Sequence, residues 1–317
     1  MKNFLSVFVL VVLLTLCGCN GFQENTDTRF LMDTFVTVTA DTSASVLSEA
    51  FNKAEEYEKN LSRTAQTGDI ASINDGQQET TVNEYTAKVI TRGIYFGVLS
   101  GGAFDITLCP VSSLWDFNNG IVPERNEIEK ALKNVDYRVL DVNGTTVFSN
   151  GKQIELGGIA KGFVADVLKD FLLENGAQRG IINMGSSMVL FGNEQTVKIK
   201  NPLDTSRHIA SMRLKNAALS TSGTYERCFE KDGQVYHHIL DSKTGYPVKS
   251  DLLSATVIGK SAMDCDALST ICILLGSNDA KKLIESIPNT YAIFVDSEGN
   301  LSYTAGIYEK NGKLYVK

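Results

Sequence analysis

The chain has 317 residues, of which 43% are hydrophobic and 21% charged, enough for one large domain or two small ones with a proper core. Five Pro and 26 Gly exclude collagen-like and Pro-rich disordered classes. A formal net charge of -7 leaves no basic surplus to neutralise phosphates, so nucleic-acid binding is not expected, and an anionic ligand would have to be met locally by a metal ion or backbone N–H groups.

Residues 1–19 read as an export signal. Lys2 supplies the positive start, and residues 4–16 are an almost unbroken apolar run, too short for an ordinary membrane span. The run ends in Leu16-Cys17-Gly18-Cys19. Small residues before a Cys resemble the lipobox of bacterial lipoproteins, which implies lipidation of Cys19 and a location on the outer side of the cell membrane. A plain secretory signal or a retained N-terminal anchor are the alternatives. Residues 20–29 form a polar tether, and the folded domain is expected over 30–317.

Within that domain, residues 30–40 predict a strand and 44–61 an amphipathic helix, with Val46, Leu47, Ala50, Ala54 and Tyr57 at helical spacing. Residues 64–76 are polar. Asn83 is expected to cap a helix ending at Ser100-Gly101-Gly102. A short charged helix is predicted over 123–134, and a hairpin over 138–147. A strand ending near Leu156 feeds a glycine turn and a helix over 159–174. Short strands alternate with turns over 180–222. Helices are predicted over 264–275 and 279–287, and closing strands over 291–316. No repeat or linker divides the chain, which predicts an α+β fold: a single compact body of mixed sheets flanked by helices. Cys109, Cys228, Cys265 and Cys272 fit no zinc spacing and read as buried free thiols.

Four segments carry candidate chemistry. Glu155-Leu156-Gly157-Gly158-Ile159-Ala160-Lys161-Gly162 runs from a strand through a Gly-rich turn into a helix, a geometry that offers N–H groups to an anion and lets Lys161 add a point charge. It lacks both common nucleotide-binding spacings, so a purely structural turn is equally open. Asp266 and Thr270 stand four apart on one helical face, a hard oxygen pair suited to Mg2+, although Asp264 or Asp266 could simply cap the helix. His237 and His238 should fall on opposite faces of a strand, so one can face a cleft. Phe104-Asp105-Ile106-Thr107 followed by Trp115 could receive a flat aromatic ligand or form a core corner.

In this order the segments resemble the ApbE-type FAD:protein FMN transferase family. The matching pieces are Met32-Asp33-Thr34, Asp69-Ile70-Ala71-Ser72-Ile73-Asn74, Gly102-Ala103-Phe104-Asp105-Ile106-Thr107 with Trp115, and Leu156-Gly157-Gly158-Ile159-Ala160-Lys161-Gly162. Then come Ser222-Gly223-Thr224-Tyr225-Glu226-Arg227, His238-Ile239-Leu240-Asp241 with Thr244-Gly245-Tyr246-Pro247, and Asp266-Ala267-Leu268-Ser269-Thr270. The resemblance implies an exported, Mg2+-dependent enzyme with FAD as substrate. Such an enzyme moves FMN onto a Thr hydroxyl of an exported acceptor protein and releases AMP. It further implies Asp266, Thr270 and Gly158 as metal ligands, and His238 as catalytic base. Met32, Ala103, Phe104, Asp105, Glu155, Lys161 and Leu240 would be FAD contacts. Two departures stand out: Asn183-Met184-Gly185-Ser186-Ser187 replaces the family's Asn-x-Gly-Gly, and no aromatic residue lies near Thr64. The rival readings are an FAD pyrophosphatase giving FMN and AMP, and a non-catalytic flavin-binding lipoprotein.

Overall fold

In the computed structural model, residues 24–317 are described. The signal segment, Cys19 and the start of the tether lie outside the described residues. Strands β1 (Asn25–Leu31) and β2 (Thr34–Ala40) form a hairpin in register from Asn25↔Ala40 to Leu31↔Thr34. The reversal falls on Met32 and Asp33, with φ of 52° and 58°, the paired left-handed geometry of a turn whose twist matches its strands. Residues 30–40 are therefore a hairpin tip and its second strand. The segment 25–29, expected as tether, is part of the first strand. Its polar alternation suits a sheet edge, where Thr26 and Thr28 pair their hydroxyls with those of Thr39 and Thr37, each at 2.9 Å.

Helix α1 (Ala44–Leu61) is capped by Ser43 and buries Leu47, Ala50, Phe51, Ala54 and Leu61. Helix α2 (Asp69–Asn74), strand β3 (Glu79–Thr81) and helix α3 (Glu84–Leu99) follow. Asn83 stands at the start of α3, but its side chain donates to Asp69 instead of capping the helix. Asp69 also accepts from the backbone N–H of Asn83 and the Thr86 hydroxyl, and so takes over the anchoring role. Helices α4 (Cys109–Ser112) and α5 (Arg125–Leu132) lead to a 3-10 turn at Tyr137–Val139 and the hairpin β4 (Asp141–Asn143) and β5 (Thr146–Phe148).

Helix α6 (Ala160–Glu174) precedes β6 (Gly180–Asn183), β7 (Ser187–Phe191), β8 (Gln195–Asn201), β9 (Asp204–Leu214) and β10 (Ala217–Gly223). A small hairpin, β11 (Cys228–Lys231) and β12 (Gln234–His237), precedes β13 (Leu252–Gly259) and α7 (Ala262–Ser286). Gly276, at φ 75° and ψ 169°, breaks α7 between the two helices predicted there. Strands β14 (Tyr291–Asp296), β15 (Leu301–Tyr303), β16 (Ile307–Lys310) and β17 (Lys313–Val316) complete the chain.

Eight strands form one antiparallel sheet in the order β1-β2-β6-β7-β10-β13-β14-β15. Alternate residues of its central strands point to opposite faces. Val189, Ala218, Val257 and Phe294 join the main core with α1, α6 and α7. Their neighbours Leu190, Leu219, Ile258 and Ile293 pack on the other face against Val197, Ile199, Met212 and Leu314 of the sheet β16-β17-β9-β8. Helices, large sheet and small sheet are thus three layers, and burial on both faces explains the nearly continuous apolar run of β13. A third cluster gathers Val111, Trp115, Ile128 and Leu240. Cys109, Cys265 and Cys272 are buried free thiols, whereas Cys228 is exposed because it sits on the outlying β11–β12 hairpin.

Candidate active site

The floor of the site is the contact of α6 with α7. Ser261 caps α7 by accepting from the Asp264 N–H at 3.2 Å, so neither Asp264 nor Asp266 serves as the cap. Asp264 is instead held by Arg92 through two hydrogen bonds of 2.8 and 2.7 Å. Asp166 on α6 accepts from the Ser261 hydroxyl and from the N–H groups of Ala262 and Met263, locking the two helices together. Burial raises the Asp166 pKa, while these donors act in the opposite direction.

Asp266 is left to face the glycine turn. It is 4% exposed. Its Oδ2 accepts the Gly162 N–H at 3.0 Å and its Oδ1 accepts from the Ser220 hydroxyl at 3.1 Å. One turn further on, Thr270 Oγ1 lies 3.1 Å from Ser222 Oγ, which lies 2.8 Å from Ser269 Oγ. Ser220 and Ser222 alternate along β10, so both face α7. Gly158 closes the group: a Cβ there would lie 2.9 Å from the Phe104 ring and 3.8 Å from Thr270 Oγ1. Gly158 is thus brought against Phe104 and Thr270, with Asp266 one helical turn before Thr270.

This donor set fits Mg2+. It offers one buried carboxylate and neutral hydroxyls, all hard ligands. Among the described residues no three His, Cys, Asp or Glu side chains converge, so softer or carboxylate-rich sites have no counterpart here.

His238 follows the last residue of β12. Its Nδ1 lies 3.0 Å from the Glu226 carbonyl oxygen. A carbonyl only accepts, so Nδ1 carries the proton and Nε2 keeps its lone pair. Burial lowers the pKa to about 4; the Glu226 hydrogen bond opposes this, and Arg227, His237 and Lys161 reinforce it. The ring is therefore neutral at physiological pH. His237 is spent in the structure, since Nδ1 accepts from Ile239 N–H and Nε2 faces the Val248 carbonyl. Lys161, at the start of α6, reaches the Gly157 carbonyl at 3.4 Å.

The remaining residues expected at the site fall into two groups. Glu155 is half-buried, paired with Arg63 at 3.0 Å and accepting from the Ser112 hydroxyl at 2.8 Å. Burial raises its pKa, while Arg63 and Ser112 lower it. Met32, at the hairpin tip, donates its N–H to Glu58, which lines a concavity of about 400 Å³ with Ser62 and Thr64. Ala103 is half-buried beside Gly102, whose carbonyl accepts from Ser242, and this ties the Ala103-Phe104 loop to the loop after Leu240. By contrast, Asp105 spends both oxygens on backbone and hydroxyl donors of the protein. Oδ1 accepts from Thr107 N–H and Oγ1, and Oδ2 from Tyr137 N–H. Leu240 is 4% exposed in the Trp115 cluster. Trp115 itself stacks on Phe117 and donates to the Gly245 carbonyl, the core-corner arrangement. Ser220, Arg63 and Asp166 are contributors outside the matching motifs, and Ser222 and Arg227 lie in one of them without an assigned role. The Ser-x-Ser spacing on a strand facing α7 is the local pattern that marks Ser220 and Ser222.

An antiparallel sheet between helices and a second sheet, with a cluster of carboxylate and hydroxyl oxygens at a glycine turn, defines a mixed α/β fold carrying a candidate cation site. The profile of the ApbE family matches residues 32–294, and the chain belongs to that family. A Klebsiella pneumoniae relative named FAD:protein FMN transferase is 32% identical over 257 residues, covering 78% of this chain and 81% of its own length. A Treponema pallidum relative of the same name is 29% identical over 291 residues, covering 83% and 80%. The crystal structure of the ApbE protein from Thermotoga maritima superimposes with a TM-score of 0.82 at 30% identity, covering 89% of this chain and 97% of that one.

Proposed function

We propose that this protein is an FAD:protein FMN transferase that uses Mg2+, attaches FMN to a Thr hydroxyl of an exported acceptor protein and releases AMP. The observation that carries this reading is the convergence of buried Asp266, the Thr270 and Ser222 hydroxyls and Gly158 at the N-terminus of α6. In this reading Asp266, Thr270 and the backbone at Gly158 hold Mg2+, which offsets negative charge on the diphosphate. His238 Nε2 takes the proton of the acceptor Thr as its oxygen bonds to the FMN phosphorus. The bond from that phosphorus to the oxygen of AMP breaks, and AMP leaves. A base of pKa about 4 is weak, but phosphate charge beside it would raise its proton affinity during attack. Lys161 adds positive charge at the same turn. Glu155, Met32, Ala103 and Phe104 belong to the FAD-binding walls, with Asp105 and Leu240 supporting them from behind.

We further place the protein outside the cytosol, lipid-anchored through Cys19 to the cell membrane. The test of the activity is to mix the protein with FAD, Mg2+ and an exported acceptor carrying a target Thr. Flavin fluorescence on the acceptor's denatured gel band supports transfer. Free FMN and AMP without labelled acceptor would replace it with hydrolysis, and intact FAD after long incubation would reduce the protein to a binder.

A further inference from the structure

Arg227 is an unusual residue for its position. Its φ is 42°, a left-handed conformation that costs a residue with a Cβ about 1–2 kcal/mol. It follows Glu226, whose carbonyl receives the His238 proton, so it stands at the rim of the base. Its guanidinium points across to the tip of the β1–β2 hairpin, where Asp33 also has a left-handed φ, of 58°. The two side chains lie 3.6 Å apart, with 57% and 81% of their surfaces exposed. Among the described residues Asp33 is the one carboxylate within ion-pair reach of Arg227, and 3.6 Å is too long for a good hydrogen bond. An exposed pair of this kind contributes about 0–1 kcal/mol, too little to account for the left-handed backbone at Arg227. Strain held at Arg227, next to the residue that hydrogen-bonds His238, points to function.

The charge balance says which function. A chain of net charge -7 repels a dinucleotide at long range, so cations at the site must offset its phosphates. Two of them, Lys161 and Arg227, act on His238. Lysine is a point charge, whereas a guanidinium grips two phosphate oxygens at once.

We propose that Arg227 binds the diphosphate of FAD, and that Asp33 is the counter-ion it leaves to do so. This deepens the transferase reading and rests on it. Asp33 aims the guanidinium across the hairpin tip next to Met32 and competes with the phosphates for it.

The test is equilibrium binding of FAD and of riboflavin, followed by flavin fluorescence on the full chain with Mg2+ present and no acceptor. Riboflavin carries no phosphate and reports the flavin walls alone. Arg227→Gln should weaken FAD by about tenfold or more and leave riboflavin unchanged, with Arg227→Lys between the two. Asp33→Asn should act in the opposite direction, tightening FAD by about two- to fivefold, because it frees the guanidinium. Asn tolerates a left-handed φ, so that variant keeps the hairpin. Unchanged FAD affinity in Arg227→Gln, or equal weakening of FAD and riboflavin, overturns the proposal. So does an Asp33→Asn variant that loses FAD as Arg227→Gln does, since the pair would then be a structural brace. Failure of the unsubstituted protein to bind FAD would strike the transferase reading itself.

Discussion

Gly162 and Asp266 meet where no side chain can stand between them. The Gly162 N–H donates to Asp266 Oδ2 at 3.0 Å, and a Cβ on Gly162 would lie 2.1 Å from the Ala262 carbonyl oxygen and 2.8 Å from Asp266 Cβ. The helix that carries the carboxylate and the helix that begins at the glycine turn are therefore pinned to one separation. Gly162→Ala should force them apart, lowering stability by about 1–3 kcal/mol and reducing activity beyond that loss. Denaturant unfolding and kcat/KM measured on the remaining folded protein check both parts.

Asp266→Asn keeps the shape of the side chain and removes its charge. Activity should fall at least about a hundredfold, and the Mg2+ concentration for half-maximal rate should rise at least about tenfold. A Mg2+ titration of turnover reads both. Asp266→Ala adds a stability loss of about 1–3 kcal/mol, because the Gly162 N–H and the Ser220 hydroxyl lose their acceptor.

His238→Ala should lower kcat by about 10²–10⁴-fold while FAD affinity changes little. The pH dependence separates this base from an ordinary histidine. On the proposed mechanism activity needs the neutral ring, so kcat/KM should stay level as pH falls through 6.5 and drop only near 4. Stability follows the same sign. The unfolded ring takes up a proton near 6.5 and the folded one near 4, so the contribution is full above 6.5 and is lost as pH falls through 4. In His238→Gln the fall of Tm over that window should be shallower.

Asp105 has both carboxylate oxygens engaged, one by Thr107 and the other by the distant Tyr137 N–H. Asp105→Ala should cost about 1–3 kcal/mol of stability, by stranding the Thr107 and Tyr137 donors, with a smaller effect on FAD affinity. Thermal melts beside flavin titrations distinguish this from a direct ligand contact.

Cys19→Ala should release the protein from membranes into the soluble extracytoplasmic fraction and abolish labelling by a radioactive fatty acid. Unchanged membrane association would favour an uncleaved anchor instead.

Much of the site was legible because its residues sit in short local patterns. Asp266 and Thr270 are one helical turn apart, and Gly157-Gly158 announces a turn into a helix. The core helices were legible from their spacing, and the break at Gly276 falls between the two helices read there. What escaped depends on contacts distant in sequence. Asn25 to Arg29 looks like a tether until Thr26 and Thr28 find their partners on β2. Asn83 looks like a cap until Asp69 takes its side chain. The reversal at Met32 and Asp33 carries none of the glycine that usually marks such a turn. Arg227 closes the motif that begins at Ser222, but nothing local assigns it a role, since its partner Asp33 lies in the hairpin opposite.

The ligands of Asp266 come from far apart. Gly162 is 104 residues away along the chain and Ser220 is 46 residues away. No excised fragment can reproduce that grouping, and a growing or threading polypeptide lacks it until α6, β10 and α7 have all docked. On the proposed function, competence to hold a cation is thus withheld until the fold is complete, so a partly folded molecule would have no assembled centre with which to attack a dinucleotide.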